Sequence, residues 1–138
     1  TGYVDLQSPA GIGIAGLAVN YTGDSYASDE ARMLAEMGDT SFRLGHLSSD
    51  IFDSVLTSDK LVDCLAATMT EGMPMCSDCG IQPFCGSDPV FHYATQKDMV
   101  GNKPASSFCR KNMEIVRHLV RTLEDKPEAG AVLRSWIA

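Results

Sequence analysis

Three cysteines fall within ten residues, Cys76, Cys79 and Cys85, in a stretch with no means of building a core of its own. Between 70 and 106, Gly72, Pro74, Gly80, Pro83, Gly86, Pro89, Gly101 and Pro104 interrupt every periodic segment, so the stretch reads as loop. A loop of this length inside a small domain needs something other than apolar burial to order it. Cysteines at metal-site spacing supply one means. A fourth, Cys109, follows after 23 intervening residues, where a helical pattern begins.

The rest of the composition narrows the class. A chain of 138 residues, 44% hydrophobic and 21% charged, is one globular domain. Its net charge of −7 offers no footprint for a phosphate backbone, which argues against nucleic acid as a partner. No apolar run approaches the roughly 18 residues of a membrane span, so no membrane partner is expected. The start, Thr1-Gly2-Tyr3, is neither an initiator Met nor a signal peptide, and the chain reads as a piece of something longer. Five cysteines, an odd number with none before Cys64, fit an intracellular, reduced protein better than a disulfide scaffold.

The predicted fold class is α+β: a short N-terminal β-hairpin, several helices around a cysteine-rich, metal-ordered loop, and a long C-terminal amphipathic helix. Small and apolar residues from Gly11 to Val19, the turn Tyr21-Thr22-Gly23-Asp24 and then Tyr26 predict the hairpin. Ser28 is placed to cap a helix over Asp29–Met37 that buries Ala31, Leu34 and Ala35 and ends at Gly38. Phe42 to Leu47 reads as extended. Ile51, Phe52, Val55 and Leu56 recur at helical spacing, and a helix opened by Ser58 is expected to bury Leu61, Cys64, Leu65 and Met69. Cys109, Met113, Val116, Val120 and Leu123 make one face of the long helix, with Ser107 as its candidate cap. A last helix carries Val132, Leu133 and Trp136 inward.

Cys76, Cys79, Cys85 and Cys109 together are a four-thiol set for an iron–sulfur cluster or zinc. The alternative is a stand-alone interaction module in which the same four cysteines hold a structural zinc; zinc sites of this kind often use two short knuckles, and here only Cys76–Cys79 forms one, so the spacing favours iron–sulfur. Cys109 in a first helical turn meets the dipole and free N–H groups that favour a thiolate, and Gly80 and Gly86 would let backbone amides approach inorganic sulfide. Cys64 shares a face with Leu61 and Leu65 and reads as a packing residue. His46, His92 and His118 show no ligand spacing, although His92 lies near enough to the loop to donate to it. Met69, Met73 and Met75 read as packing. Asp29, Glu30, Asp39, Asp88 and Asp98 read as capping or solvated acids, Asp88 beside Pro89 being the one best placed to reach the loop. Gly11-Ile12-Gly13-Ile14-Ala15-Gly16 spells a dinucleotide fingerprint but lacks the strand before it and the helix after it.

The run Met75-Cys76-Ser77-Asp78-Cys79-Gly80-Ile81-Gln82-Pro83-Phe84-Cys85-Gly86 with Ser107-Phe108-Cys109-Arg110 resembles the SPASM domain of radical SAM peptide maturases. That family's pattern is C-x9–15-G-x4-C, a gap, C-x2-C-x5-C-x3-C, a gap and a final C, holding up to two auxiliary [4Fe–4S] clusters. The resemblance implies that Cys76, Cys79, Cys85 and Cys109 hold the second of these. Ser8, Ser28 and Pro89 stand where cysteines of the first would be, which implies one cluster here. The segments Tyr3–Pro9, Ser28–Asp39 and Pro89–Gln96 resemble the C-terminal part of the His-Xaa-Ser system radical SAM maturase.

On this resemblance residues 1–138 are a single SPASM-like domain fragment. Residues 1–48 are the hairpin and helix remnant of the first auxiliary-cluster region, 49–72 a helical connector, and 73–138 the four-cysteine loop and C-terminal helices. The implied cofactor is one [4Fe–4S] cluster, with zinc as a substitute if it is lost. S-adenosylmethionine and a further [4Fe–4S] belong to a barrel expected before Thr1. The implied partners are that N-terminal radical SAM barrel and a ribosomally made precursor peptide, in the cytoplasm. The full-length enzyme would modify the peptide. This chain, lacking the C-x3-C-x2-C signature, carries no catalytic residue and is expected to be inactive alone.

Overall fold

The structure, a computed structural model, describes residues 11–136. Ser8 and the segment Tyr3–Pro9, which carry part of the resemblance, lie outside the described residues. The fold is α+β, with three strands toward the N-terminus, one helix between the second and third of them, and the other helices after.

Strands β1 (Ala18–Val19) and β2 (Asp24–Tyr26) form an antiparallel hairpin in which Ala18 faces Tyr26. Asn20 builds its turn: Oδ1 accepts from the Thr22 and Asp24 N–H groups at 3.1 and 2.9 Å and from the Thr22 hydroxyl at 2.7 Å. The extended segment after Phe42 becomes β3 (Arg43–His46), which pairs antiparallel with β2 and completes the order β1-β2-β3. A register shift between Ser25 and Tyr26 bends β2 and turns Tyr26 into the core.

Helix α1 (Asp29–Glu36) starts at Ser28, whose hydroxyl accepts the Ala31 N–H at 3.2 Å, and ends on the C-cap Met37, with Gly38 following in the left-handed region. Its Ala31 is fully buried. Helix α2 (Phe52–Leu56) is short, and α3 (Asp59–Ala66) is capped by Ser58. Helix α4 (Pro89–Gln96) packs on α1. Tyr26, Ala31, Phe42, Cys64 and Val90 form the core, and the Tyr93 ring meets Phe42 edge-on at 5.1 Å while its hydroxyl lies 3.0 Å from Ser41 Oγ. The long helix α5 (Ser107–Asp125) and α6 (Ala129–Ser135) pack on each other. Among the described residues no helix is long and apolar enough to cross a membrane.

Several apolar residues expected inside are outside. Met69 is half exposed because α3 stops at Ala66 and the chain turns at Thr68, whose hydroxyl donates to the Leu65 carbonyl. Of the α2 set only Val55 is buried. Val120, Leu123, Val132 and Trp136 are exposed; among the described elements α5 packs mainly against α6 and the Lys103–Ala105 turn.

Ser28→Ala should cost about 1 kcal/mol of unfolding free energy, and Ser28→Asp should keep the cap and most of the stability, both read by denaturant unfolding. Equal losses in the two variants would contradict the capping role.

Candidate metal centre

From Thr70 onward the chain advances by single turns. The 3₁₀ turn Thr70–Gly72 leads to buried Met73, whose carbonyl accepts the Cys76 and Ser77 N–H groups at 3.1 Å. Cys79 N–H donates to the Cys76 carbonyl at 3.0 Å, Gln82 N–H to Cys79 at 3.0 Å, and Cys85 N–H to Gln82 at 3.1 Å. Each cysteine is thus seated by a turn begun a few residues earlier. Across the loop, Gln82 Nε2 donates to Thr70 Oγ1 at 2.9 Å. Met75, immediately before Cys76, is held at φ 67°, a strained conformation for a residue with a long side chain. A Cβ on Gly80 would meet nothing within 4 Å, so packing within the chain does not require glycine there.

Cys109 arrives from the other side. The cap of α5 is Ser106, one residue before the serine expected from the sequence, and its hydroxyl accepts the Cys109 N–H at 3.3 Å. Ser106 is chosen by His92, a buried side chain of α4. His92 Nδ1 lies 2.6 Å from the Asp88 carbonyl, which can only accept, so Nδ1 carries the proton; Nε2 then accepts from the Ser106 hydroxyl at 2.9 Å. Burial lowers the His92 pKa, in keeping with a neutral ring. Gly101, at φ 68°, makes room for it, because a Cβ there would stand 2.7 Å from His92 Cδ2. Asp88 caps α4, with Oδ1 accepting the Phe91 N–H at 2.9 Å.

Cys76, Cys85 and Cys109 line one pocket together with His92, Ser87 and Lys103. All four candidate ligands are half-buried free thiols. Cys79 does not line that pocket; it is tied to the set by its N–H bond to the Cys76 carbonyl and by its electrostatic influence on Cys76 and Cys85. Burial pushes the Cys76 and Cys85 thiols up, while the Asn112 side-chain N–H, 3.7 Å from Cys85 Sγ, pulls the latter down.

Lys103, which nothing in the sequence singles out, is the cation of this site. It is 6% exposed, and its Nζ donates to Ser87 Oγ at 2.9 Å and to the Val100 carbonyl, both neutral groups. Burial lowers its pKa; the groups opposing that shift are, in order, Cys76, Cys109, Cys85 and Asp98. Three of the four are thiols.

The donor chemistry suits an anionic, thiolate-held group with Lys103 as counter-charge. Among the described residues, however, no set of three or more His, Cys, Asp or Glu is gathered as a ready site for a metal ion. Four thiolates around one zinc at about 2.3 Å crowd their sulfurs far more tightly than four ligands at the corners of a larger cluster.

Cys64 takes no part. It is fully buried in the core, where burial pushes its pKa up to about 11. His46 is occupied with the β2–β3 turn, its Nε2 2.8 Å from the Thr22 carbonyl. Beside the thiols lies an open cleft of about 630 Å³, lined among others by Gly11, Gly16, Ser28, Cys85, Pro89 and Asn112. Gly11 to Gly16 forms a turn-rich segment with Gly13 N–H bonded to the Ala27 carbonyl at 2.7 Å, not the strand-to-helix turn of a dinucleotide site.

No protein family, curated protein or solved structure matches the chain.

Two outcomes test this arrangement. A histidine whose folded pKa lies below its unfolded value of about 6.5 contributes stability that is present above that value and is lost as pH falls through the folded pKa. Unfolding free energy should therefore decline from about pH 6.5 downward in the wild type, and more shallowly in His92→Gln; parallel profiles would contradict a neutral buried ring. Cys64→Ala should cost on the order of 1 kcal/mol and leave metal content unchanged, whereas loss of metal in that variant would show the ligand set to be wrong.

Proposed function

We propose that this chain is the auxiliary-cluster domain of a radical SAM enzyme that modifies a ribosomally made peptide, with Cys76, Cys79, Cys85 and Cys109 holding one [4Fe–4S] cluster. The observation that carries the reading is geometric: a buried Lys103 lines one pocket together with Cys76, Cys85 and Cys109, and Cys79 stands one turn after Cys76. A buried cation hydrogen-bonded only to neutral groups is costly, and deprotonated thiols would relieve that cost. The spacing C-x2-C-x5-C with a distant fourth cysteine, and the resemblance to SPASM domains, support a [4Fe–4S] cluster as the group held.

When bound, such a cluster supplies one-electron transfer, and with four cysteine ligands it has no open iron for substrate. The residues of the chain then have separable tasks in this reading. The turns from Met73 to Cys85 present three thiols and are ordered by the metal they hold, as expected of a loop without a core. Ser106 fixes the first turn of α5, so that Cys109 meets the cluster at a helix N-terminus, where the dipole favours negative charge. Lys103 offsets the charge of the thiolates. The long helix α5 is the amphipathic element of the domain, and the cleft beside Cys85 is where the peptide would lie. The N-terminal barrel of the same polypeptide, in the cytoplasm, would bind S-adenosylmethionine and begin the reaction.

Iron and acid-labile sulfide analysis of anaerobically prepared chain tests the reading. Close to four of each per chain is expected; about eight irons, or stoichiometric zinc with no iron, contradicts it. Cys79→Ala should lose the metal and open the loop between 70 and 106 to proteolysis while the rest resists. Lys103→Met should lower iron retention, and Lys103→Arg should restore much of it; equal retention in wild type and Lys103→Met would remove the ammonium from the account. The chain alone should produce no 5′-deoxyadenosine from S-adenosylmethionine under reducing conditions. In the full-length parent, Cys85→Ala or Cys109→Ala should spare 5′-deoxyadenosine formation yet abolish or strongly reduce modified peptide, and normal product yield in both would overturn the proposal.

A further inference from the structure

Among the described residues, two exposed apolar surfaces complement each other without meeting. The first is the arm formed by α5 and α6. On it Ile115 and Leu119 recur at helical spacing and are 50% and 42% exposed, and α6 adds Val132 at 55% and Trp136, the one tryptophan, at 75%. From Ser107 onward the sequence has six Lys and Arg against four acids, so the arm is basic.

The second surface lies on the body. Phe52 and Leu17 are shared by two adjoining hollows of about 480 and 370 Å³, otherwise lined mostly by apolar groups such as Ile14, Leu47 and Leu56. Phe52 lines both hollows and is 66% exposed, a large apolar side chain left open to solvent. Asp50 lines one hollow, and the helices that line them, α2 and α3, carry Asp53, Asp59 and Asp63 exposed. Before Ser107 the chain has 14 acids against five Lys and Arg. No residue of α5 or α6 lines either hollow, and α5 packs on α6 and the Lys103–Ala105 turn instead.

We propose that a second copy of this chain fills the groove: the basic, apolar α5–α6 arm of each copy docks into the acid-rimmed Phe52 groove of the other, giving a reciprocal dimer. Opposite charge and matching apolar faces on one polypeptide select a second copy, and a self-complementary pair of surfaces closes as a two-fold. Trp136 and Phe52 are the anchors, large aromatics desolvated at the centre of the contact. This also accounts for the apolar face of α6, which is patterned for burial and is not buried within one chain. The proposal stands apart from the metal reading, since none of these residues touches the thiol site.

The test is sedimentation of the whole chain at micromolar concentration, with Trp136 emission followed in parallel. A dimer is expected, with emission shifting to the blue as it forms and dissociation increasing with salt. Phe52→Asp and Leu119→Asp should each weaken dimerisation about tenfold or more with unchanged circular dichroism. Mixed together they should form heterodimers, because one arm–groove contact in the mixed pair keeps both wild-type surfaces. Should either variant fold poorly, the exposed pair Asp53→Lys and Lys126→Glu replaces it, each weakening the dimer alone and restoring it when mixed. A wild-type monomer, or a dimer indifferent to either surface, overturns the proposal, as does failure of both mixtures to associate.

Discussion

A lysine ammonium taken out of water beside a group of thiols is the interaction on which the site depends. Lys103 reaches a hydroxyl and a carbonyl, and neither offsets a positive charge removed from solvent. Removing a charge from water costs several kcal/mol even after relaxation, and deprotonated thiols beside the ammonium would offset that cost against the burial that pushes the Cys76 and Cys85 thiols up. The strained Met75 before Cys76 fits the same account: the loop is shaped around something other than its own packing.

What brings the two halves of the thiol set together is the short helix α4. Its cap, Asp88, comes three residues after Cys85, and the helix rests on the core through Val90 and Tyr93. From its second turn His92 reaches Ser106, and Ser106 holds the first turn of α5 where Cys109 sits. Cys85 and Cys109 are thus set by one helix and a chain of hydrogen bonds that runs from the Asp88 carbonyl to the Cys109 amide. The three-stranded sheet and α1 form the platform beneath α4.

Much of this platform was legible in the sequence because it rests on local chemistry. Ser28 and Ser58 announce their helices, and Cys64 declares itself a packing residue by sharing a face with Leu61. Harder to read were choices settled at a distance. Of the adjacent serines 106 and 107, the one that caps α5 is decided by His92, 14 residues earlier, and no local rule separates the two. Lys103 looks like any surface lysine until the loop folds over it. Periodicity placed Val132 and Trp136 inside because it reports that a face seeks burial, not that one chain supplies the cover.

The central claim is that metal held by the four thiols orders the loop. Hydrogen exchange on the anaerobic iron-loaded chain and on the same chain after chelation tests it most directly. The account predicts that loading slows exchange between 73 and 88 and in the first turn of α5, with little change in β1–β3 and α1. Equal exchange in the two states, or protection gained only away from the thiols, would contradict it.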